Sequence, residues 1–373
     1  MKIGIITLPL LTNYGGLLQA YALQTVLERM GYEVCHIQKK NFFKHKPVWK
    51  VPLTYGKRIY KNWMEHTDNP IFYEQKYIRE LPIIGQNTSK FIHRYFKRKI
   101  VEEFSNIHKG DFDAIVVGSD QIWRPKYFYD QIERAYLDFT AGWNVRRIAY
   151  AASFGTDVWE YSSKQTSRCR KLASKFNAIS VREKAGIDLC QNFLGVEAVH
   201  VIDPTMLLNK EDYIRLFENE GTPKSNGTLL TYILDDSLEI SRLIDRIATA
   251  QHLTPFRVNS KSTQINAPVG DRIQPSVESW LRGFYDAELI ITDSFHACVF
   301  SILFGKPFVV IANKRRGLSR FTSLLQMFGL EDCLLTDPSQ TPPLTAYNSI
   351  RIDELLNQNR KYAIDFLKSA LNM

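Results

Sequence analysis

Short apolar runs alternate with stretches of helical periodicity along most of the chain. Lys2–Ile6 predicts a first strand, and the loop Leu8–Gly16 follows it. Leu23, Val26, Leu27 and Met30 then recur at the three-and-four spacing of one helix face, with Gly31 as the stop. Glu33–Ile37 reads as a second strand and completes a βαβ start. Further short apolar runs at Ala114–Val117, Arg147–Ala151, Ala178–Val181 and Val199–Ile202 fit strands covered on both faces. Asp203-Pro204-Thr205 closes this series and reads as a linker.

The pattern then begins afresh. A strand is predicted at Thr228–Leu234, a helix through Ile240–Ile247, and a strand at Glu288–Thr292. A helix through Cys298–Phe304 ends at Gly305, and a strand follows at Pro307–Ile311. Helical periods at Arg320–Phe328 and Ile350–Leu371 complete the chain. Such alternation predicts a parallel α/β architecture of two consecutive units joined near residue 205, with a cleft between them. The expected domains are residues 1–205 and 206–349, with 350–373 a terminal helix packing back on the first. A length of 373 residues suits two cores of ordinary size.

Residues 39–109 break the alternation and read as an insertion, helical in Phe91–Phe104. Charge makes this segment distinctive. It holds 16 Lys and Arg against 6 Asp and Glu, interleaved with thirteen aromatic residues that include Trp49, Tyr60 and Trp63. The whole chain carries a net charge of +9, so the excess is concentrated here. Peripheral contact with an anionic membrane and a solvated insertion with its own local core both fit this composition. Nucleic-acid binding is not expected, since no recognisable module accompanies the charge. The five cysteines are scattered without a Cys-x-x-Cys pair, which argues against zinc and disulfides and for a reducing, cytoplasmic setting. No metal and no cofactor is expected. The N-terminal apolar run is too short for a signal peptide, and no run of about 18 apolar residues spans a membrane.

In open α/β sheets ligands lie beyond the carboxyl ends of strands, which directs attention to five places. Asn13-Tyr14-Gly15-Gly16 offers free N–H groups at a helix start, or a plain tight turn. Gly118-Ser119-Asp120-Gln121 sets a hydroxyl and a carboxylate at a strand end, where Ser119 or Asp120 also serves as a helix cap. Ser153 ends the run Tyr150–Ala152. Arg182, in Ser180-Val181-Arg182-Glu183, suits a carboxylate or phosphate, or a salt bridge to Glu183. The fifth place, Thr292-Asp293-Ser294-Phe295-His296, is the leading candidate, because a histidine there moves protons near neutral pH or binds an anion. Lys306, Arg320 and the cluster Lys314-Arg315-Arg316 are further basic candidates for an anion.

Taken in order, Asn13-Tyr14-Gly15, Gln19-Ala20, Val117–Trp123, Ala149–Gly155, Ser180–Glu183, Asp203-Pro204-Thr205 and Thr292–His296 resemble the polysaccharide pyruvyl transferases. Ala297 departs from the glycine that members often carry after the histidine. The resemblance implies a GT-B-like pair of Rossmann-like domains. It also implies transfer of pyruvate from phosphoenolpyruvate to two hydroxyls of a saccharide acceptor, as a ketal, with loss of phosphate. On that basis His296 is the expected acid or phosphate ligand, and Asp120 the expected base or partner of an acceptor hydroxyl. Arg182, Arg320, Ser294, Asn13, Gly15, Ser119, Ser153 and Lys306 are the expected substrate contacts. The acceptor is expected to be lipid-linked, at the inner membrane face, in exopolysaccharide or capsule biosynthesis. A nucleotide-sugar glycosyltransferase of the same architecture and a non-catalytic sugar-binding member remain as alternatives.

Overall fold

The protein is described by a computed structural model covering residues 1–373 except 41–50, 66–69, 129–130, 263, 313–316, 341, 343–348 and 373. The first sheet contains seven strands: β1 (Lys2–Ile6), β2 (Glu33–Lys39), β3 (Arg98–Val101), β4 (Ala114–Val117), β5 (Arg146–Ala152), β6 (Ala178–Val181) and β7 (Val199–His200). They are parallel throughout, in the order β3-β2-β1-β4-β5-β6-β7. The second sheet contains β8 (Leu229–Tyr232), β9 (Pro255–Phe256), β10 (Leu289–Thr292), β11 (Phe308–Ile311) and β12 (Leu334–Leu335). It is also parallel, in the order β12-β11-β10-β8-β9. The expected two Rossmann-like α/β domains are therefore present.

Twelve α-helices lie among the described residues. Those of the first half are α1 (Tyr14–Arg29), α2 (Val51–Glu65), α3 (Tyr73–Ile84), α4 (Gln86–Tyr95), α5 (Ser163–Ala173) and α6 (Ala185–Leu189). The rest are α7 (Lys210–Asn219), α8 (Leu238–Gln251), α9 (Val277–Asp286), α10 (Phe295–Leu303), α11 (Leu318–Phe328) and α12 (Ser349–Leu371). None is long and apolar enough to cross a membrane. Side chains alternate across the central strands: Ala114 and Val116 join one core, Ile115 and Val117 the other. The first of these cores continues into the second half through Tyr14, Tyr213, Trp280 and Phe300. Tyr14 stacks on Trp280 at 5.5 Å between ring centroids, and its hydroxyl donates to Pro275 O at 2.8 Å. α12 returns to the first sheet, with Arg146 Nε donating to Ala370 O and Tyr150 against Phe366.

Two sequence expectations are corrected here. The segment 39–109 does not stand apart from the alternation. α4 ends at Tyr95, short of the expected Phe104, and Arg98–Val101 pairs as the edge strand β3. The basic residues at Lys97-Arg98-Lys99 concealed this strand, since an edge position tolerates charge. Trp49 lies outside the described residues. Asp203-Pro204-Thr205 is no linker either. All three residues are buried, and Asp203 caps a short 3₁₀ turn by accepting from Thr205 N at 3.0 Å.

His36 on β2 is buried with both ring nitrogens lacking a hydrogen-bond partner among the described residues. Burial, reinforced by Arg98, pushes it down to about 3. The folded chain thus keeps His36 neutral while the unfolded chain takes up a proton below about pH 6.5. The associated stability is present above that pH and declines as pH falls toward 3. Between roughly pH 7 and pH 5 the loss from this residue is expected to be about 2 kcal/mol. Urea unfolding midpoints at the two pH values, compared with His36→Leu, check this. The variant should lose less stability by that amount, and equal losses would contradict the assignment.

Candidate active site

Strand order reverses between β1 and β4 in the first sheet and between β8 and β10 in the second. Loops diverge at such reversals and leave a crevice beyond the carboxyl ends. Here the two crevices meet. Asn13 caps α1 by accepting from Gly16 N at 3.3 Å, and the first turn of α1 presents its backbone to the opposing half. A Cβ on Gly15 would stand 2.1 Å from His296 Nδ1. Only glycine lets the imidazole pack against that backbone.

In the second half, Asp293 accepts from Leu234 N at 2.7 Å and Asp235 N at 3.0 Å, joining the loops after β8 and β10. Thr292 donates to Tyr232 O and accepts from Ser294 N. These two polar residues splint the loop and leave Ser294 and His296 to face the crevice. A cavity of about 570 Å3 opens there, lined by Asn13, Gly15, Ser294, His296, Arg257 and Lys261 among others. That volume falls within the usual range for small-molecule sites. Its cations are balanced: Arg257 is bidentate to Asp236, and Lys261 lies 3.1 Å from Asp271.

Behind His296 lies a buried charge cluster. Asp203 Oδ2 is 2.9 Å from Arg182 Nη1, 3.3 Å from Ser119 Oγ and 3.7 Å from His296 Nε2. Its other oxygen accepts from the backbone N–H and hydroxyl of Thr205. Burial alone would raise this carboxyl, but His296 and Arg182 outweigh it and hold the group well below the usual carboxylate range. Arg182 also meets Glu183 at 3.3 Å and Asp120 at 3.5 Å. Burial works against its charge, yet Glu183, Asp203 and Asp120 prevail and hold it above its ordinary value. Its guanidinium carbon lies 4.5 Å from the Phe295 ring centroid, and that of Arg320 lies 5.5 Å from the same ring. Burial and the nearby Arg182 push Arg320 down to about 10. Two guanidinium groups thus share one desolvated neighbourhood beside a histidine.

The family model for polysaccharide pyruvyl transferase matches residues 13–315. The chain belongs to that family. The matched span contains Asn13, Ser119, Asp120, Arg182, Asp203 and His296. Among solved structures, the chain resembles Arabidopsis thaliana UGT89C1 complexed with UDP-L-rhamnose at 8% identity, covering 98% of each chain with a TM-score of 0.49. It also resembles UDP-GlcNAc 2-epimerase from Neisseria meningitidis at 10% identity, covering 99% of this chain and 94% of that one, with a TM-score of 0.48. No curated protein matches the chain in sequence.

As a pyruvyl transferase family member, the chain brings most of the sequence-selected residues to one locus. Asn13, Gly15, Ser294 and His296 line the cavity. Ser119, Asp120, Arg182, Ser153 and Arg320 are buried behind it. Ser119 N is held by Gln19 Oε1 at 2.9 Å, and Asp120 adopts a left-handed φ of 58°. Ser153 donates to Glu183 Oε1 at 2.5 Å and so fixes a partner of Arg182. Some expected contacts do not line the cavity. Asp120 and Arg182 are buried and pair with each other at 3.5 Å. Lys306 lies at the amino edge of the second sheet, where its ammonium covers the Tyr285 ring, because β11 begins only at Phe308. Lys314-Arg315-Arg316 lie outside the described residues.

Asp203, Arg257 and Lys261 were not among the expected contacts. Asp203 follows a strand and satisfied the search rule, but the proline after it suggested a linker. Phe295, within the leading candidate stretch, backs two guanidinium groups. Arg257 and Lys261 follow β9, a strand of two residues that leaves no readable run.

The Gly15–His296 contact makes a sharp contrast with its neighbour. Gly15→Ala is expected to destabilise the fold by about 1–3 kcal/mol through overpacking and to shift the His296 ring resonances. At Gly16 an added Cβ meets nothing nearer than 3.5 Å, so Gly16→Ala should be neutral or mildly stabilising within the helix. Thermal unfolding and histidine NMR of both variants test the pair. Equal tolerance of the two substitutions would show that the imidazole does not rest on Gly15.

Proposed function

We propose that the chain transfers pyruvate from phosphoenolpyruvate to two hydroxyls of a saccharide, forming a ketal and releasing phosphate. The observation that carries this reading is the convergence of His296, Arg182 and Arg320 on Phe295, at the wall of a polar cavity shared by both domains. The donor bears a carboxylate and a phosphate. It gains from fixed positive charge in a desolvated site, where such charge acts most strongly. Arg320 supplies positive charge from behind the wall, beside an Arg182 already balanced by its carboxylates, and the N–H groups at the start of α1 add to it from the front.

The chemistry assigns the remaining groups. A proton is delivered to the methylene carbon of the donor as a first sugar hydroxyl adds to the adjacent carbon. A second hydroxyl then displaces phosphate from that carbon, leaving a methyl ketal carboxylate. The two hydroxyl protons leave on the methyl group and the phosphate, so the balance needs no other reactant. His296 is the proton carrier in this proposal, with Nε2 beside the Asp203 carboxylate and Nδ1 toward Gly15. Asp203 orients the ring, while Asp120 and Glu183 hold Arg182 in place. The saccharide occupies the cavity between Asn13 and Arg257. It is carried on a lipid at the cytoplasmic face of a membrane, as a step in exopolysaccharide or capsule assembly.

Phosphate release from phosphoenolpyruvate across a panel of nitrophenyl and lipid-linked glycosides tests the reading. Wild type should release phosphate with at least one acceptor. His296→Ala should lose roughly 100-fold or more in kcat with its fold retained. Asp203→Asn should lower kcat more than it raises KM for the donor. Near-normal turnover by His296→Ala would remove the central assignment.

A further inference from the structure

α2 has its polarity reversed for a helix packed on a soluble protein. The side chains it turns inward, Thr54, Tyr55, Arg58 and Asn62, are partly buried and mostly polar. Arg58 is tied to Glu74 and to Ile71 O at 2.6 Å, and Tyr55 packs on Phe72 at 4.9 Å. The apolar side chains point outward. Leu53, Ile59, Tyr60 and Met64 are exposed, and Trp63 is 70% exposed. At 100° per residue these five fall within one stripe, with Lys57 and Lys61 along one border.

We infer that this face of α2 lies in the interface of an anionic lipid bilayer. Trp and Tyr beside Leu, Ile and Met, bordered by lysines, are the side chains that settle at the headgroup boundary. Residues 39–109 carry 16 basic and 6 acidic residues, so an anionic surface is the complementary partner. Five partly exposed side chains offer on the order of 500 Å2, short of the roughly 800 Å2 per partner that a stable protein contact requires. Reversible membrane adsorption needs less.

The position gives the contact a purpose that rests on the proposed lipid-linked acceptor. α3 follows α2 and runs along the cavity rim. Lys76 donates to Ile265 O at 2.9 Å, Glu80 pairs with Arg272, and Ile84 O accepts from Gln274 N at 2.8 Å. Gln274 lines the cavity. A membrane held by α2 is thus connected through α3 to the loop that lines the cavity, which brings a lipid-borne saccharide to the same side chains.

Cosedimentation of the full chain with vesicles of equal parts phosphatidylglycerol and phosphatidylcholine tests the inference. Wild type should bind, and binding should weaken several-fold on pure phosphatidylcholine vesicles, in high salt, or in Lys57→Glu. The double variant Ile59→Glu/Trp63→Glu should lose at least ten-fold in vesicle affinity while keeping the wild-type melting temperature and turnover of soluble glycosides. Wild type that stays free of anionic vesicles, or a double variant that binds them equally well, overturns the inference. So does a wild-type dimer that the double variant dissociates, because the face would then join two copies of the chain. Vesicle binding involves no donor, so its failure leaves pyruvyl transfer standing, and failed phosphate release leaves the membrane contact standing.

Discussion

The arrangement of the site depends on one buried carboxylate. Asp203 meets Arg182 from the loop after β6, Ser119 from the loop after β4, Thr205 from its own turn and His296 from the opposing domain. Removing any one partner leaves charge or polarity uncompensated in a dry environment, where losing half of a buried pair costs about 3–5 kcal/mol. Asp203 therefore fixes more than local geometry. It ties the first sheet's carboxyl edge to the first turn of α10 and sets the imidazole against Gly15.

The charges around it are unevenly placed. Asp120, Glu183 and Asp203 more than neutralise Arg182, while Arg320 stands close enough for Arg182 to work against its charge. The carboxylates lie around the first guanidinium, and the second shares the Phe295 ring with it. The resulting field is steep and fixed by packing. The cavity supplies the complementary half: polar, open to both domains, and with its own cations already paired to acids.

Central strands were legible in the sequence because burial on both faces gives short apolar runs; Ala114–Val117 and Ala178–Val181 were placed to the residue. Of the four edge strands among the described residues only β7, at Val199–Ile202 in the sequence, was read, and the other three were not. β3 is hidden by Lys97-Arg98-Lys99, and β9 and β12 have two residues each. The site was legible through position, since strand-end polar residues at the two order reversals had to meet. What position does not reveal is which way a side chain turns. Thr292 and Asp293 splint backbone, Asp120 turns to Arg182, and Asp203 is drawn inward from what reads as a linker. Such choices follow from long-range pairing of buried charge, which local spacing does not encode.

The most direct test of this account is thermal unfolding of the wild-type chain with phosphoenolpyruvate, and separately with nucleotide sugars. A ligand that binds only the folded state raises the melting temperature. The account predicts a rise with phosphoenolpyruvate that His296→Ala and Asp203→Asn reduce or abolish, and none with a nucleotide sugar. A rise with a nucleotide sugar and none with phosphoenolpyruvate would contradict it, and would point to glycosyl transfer at the same cavity.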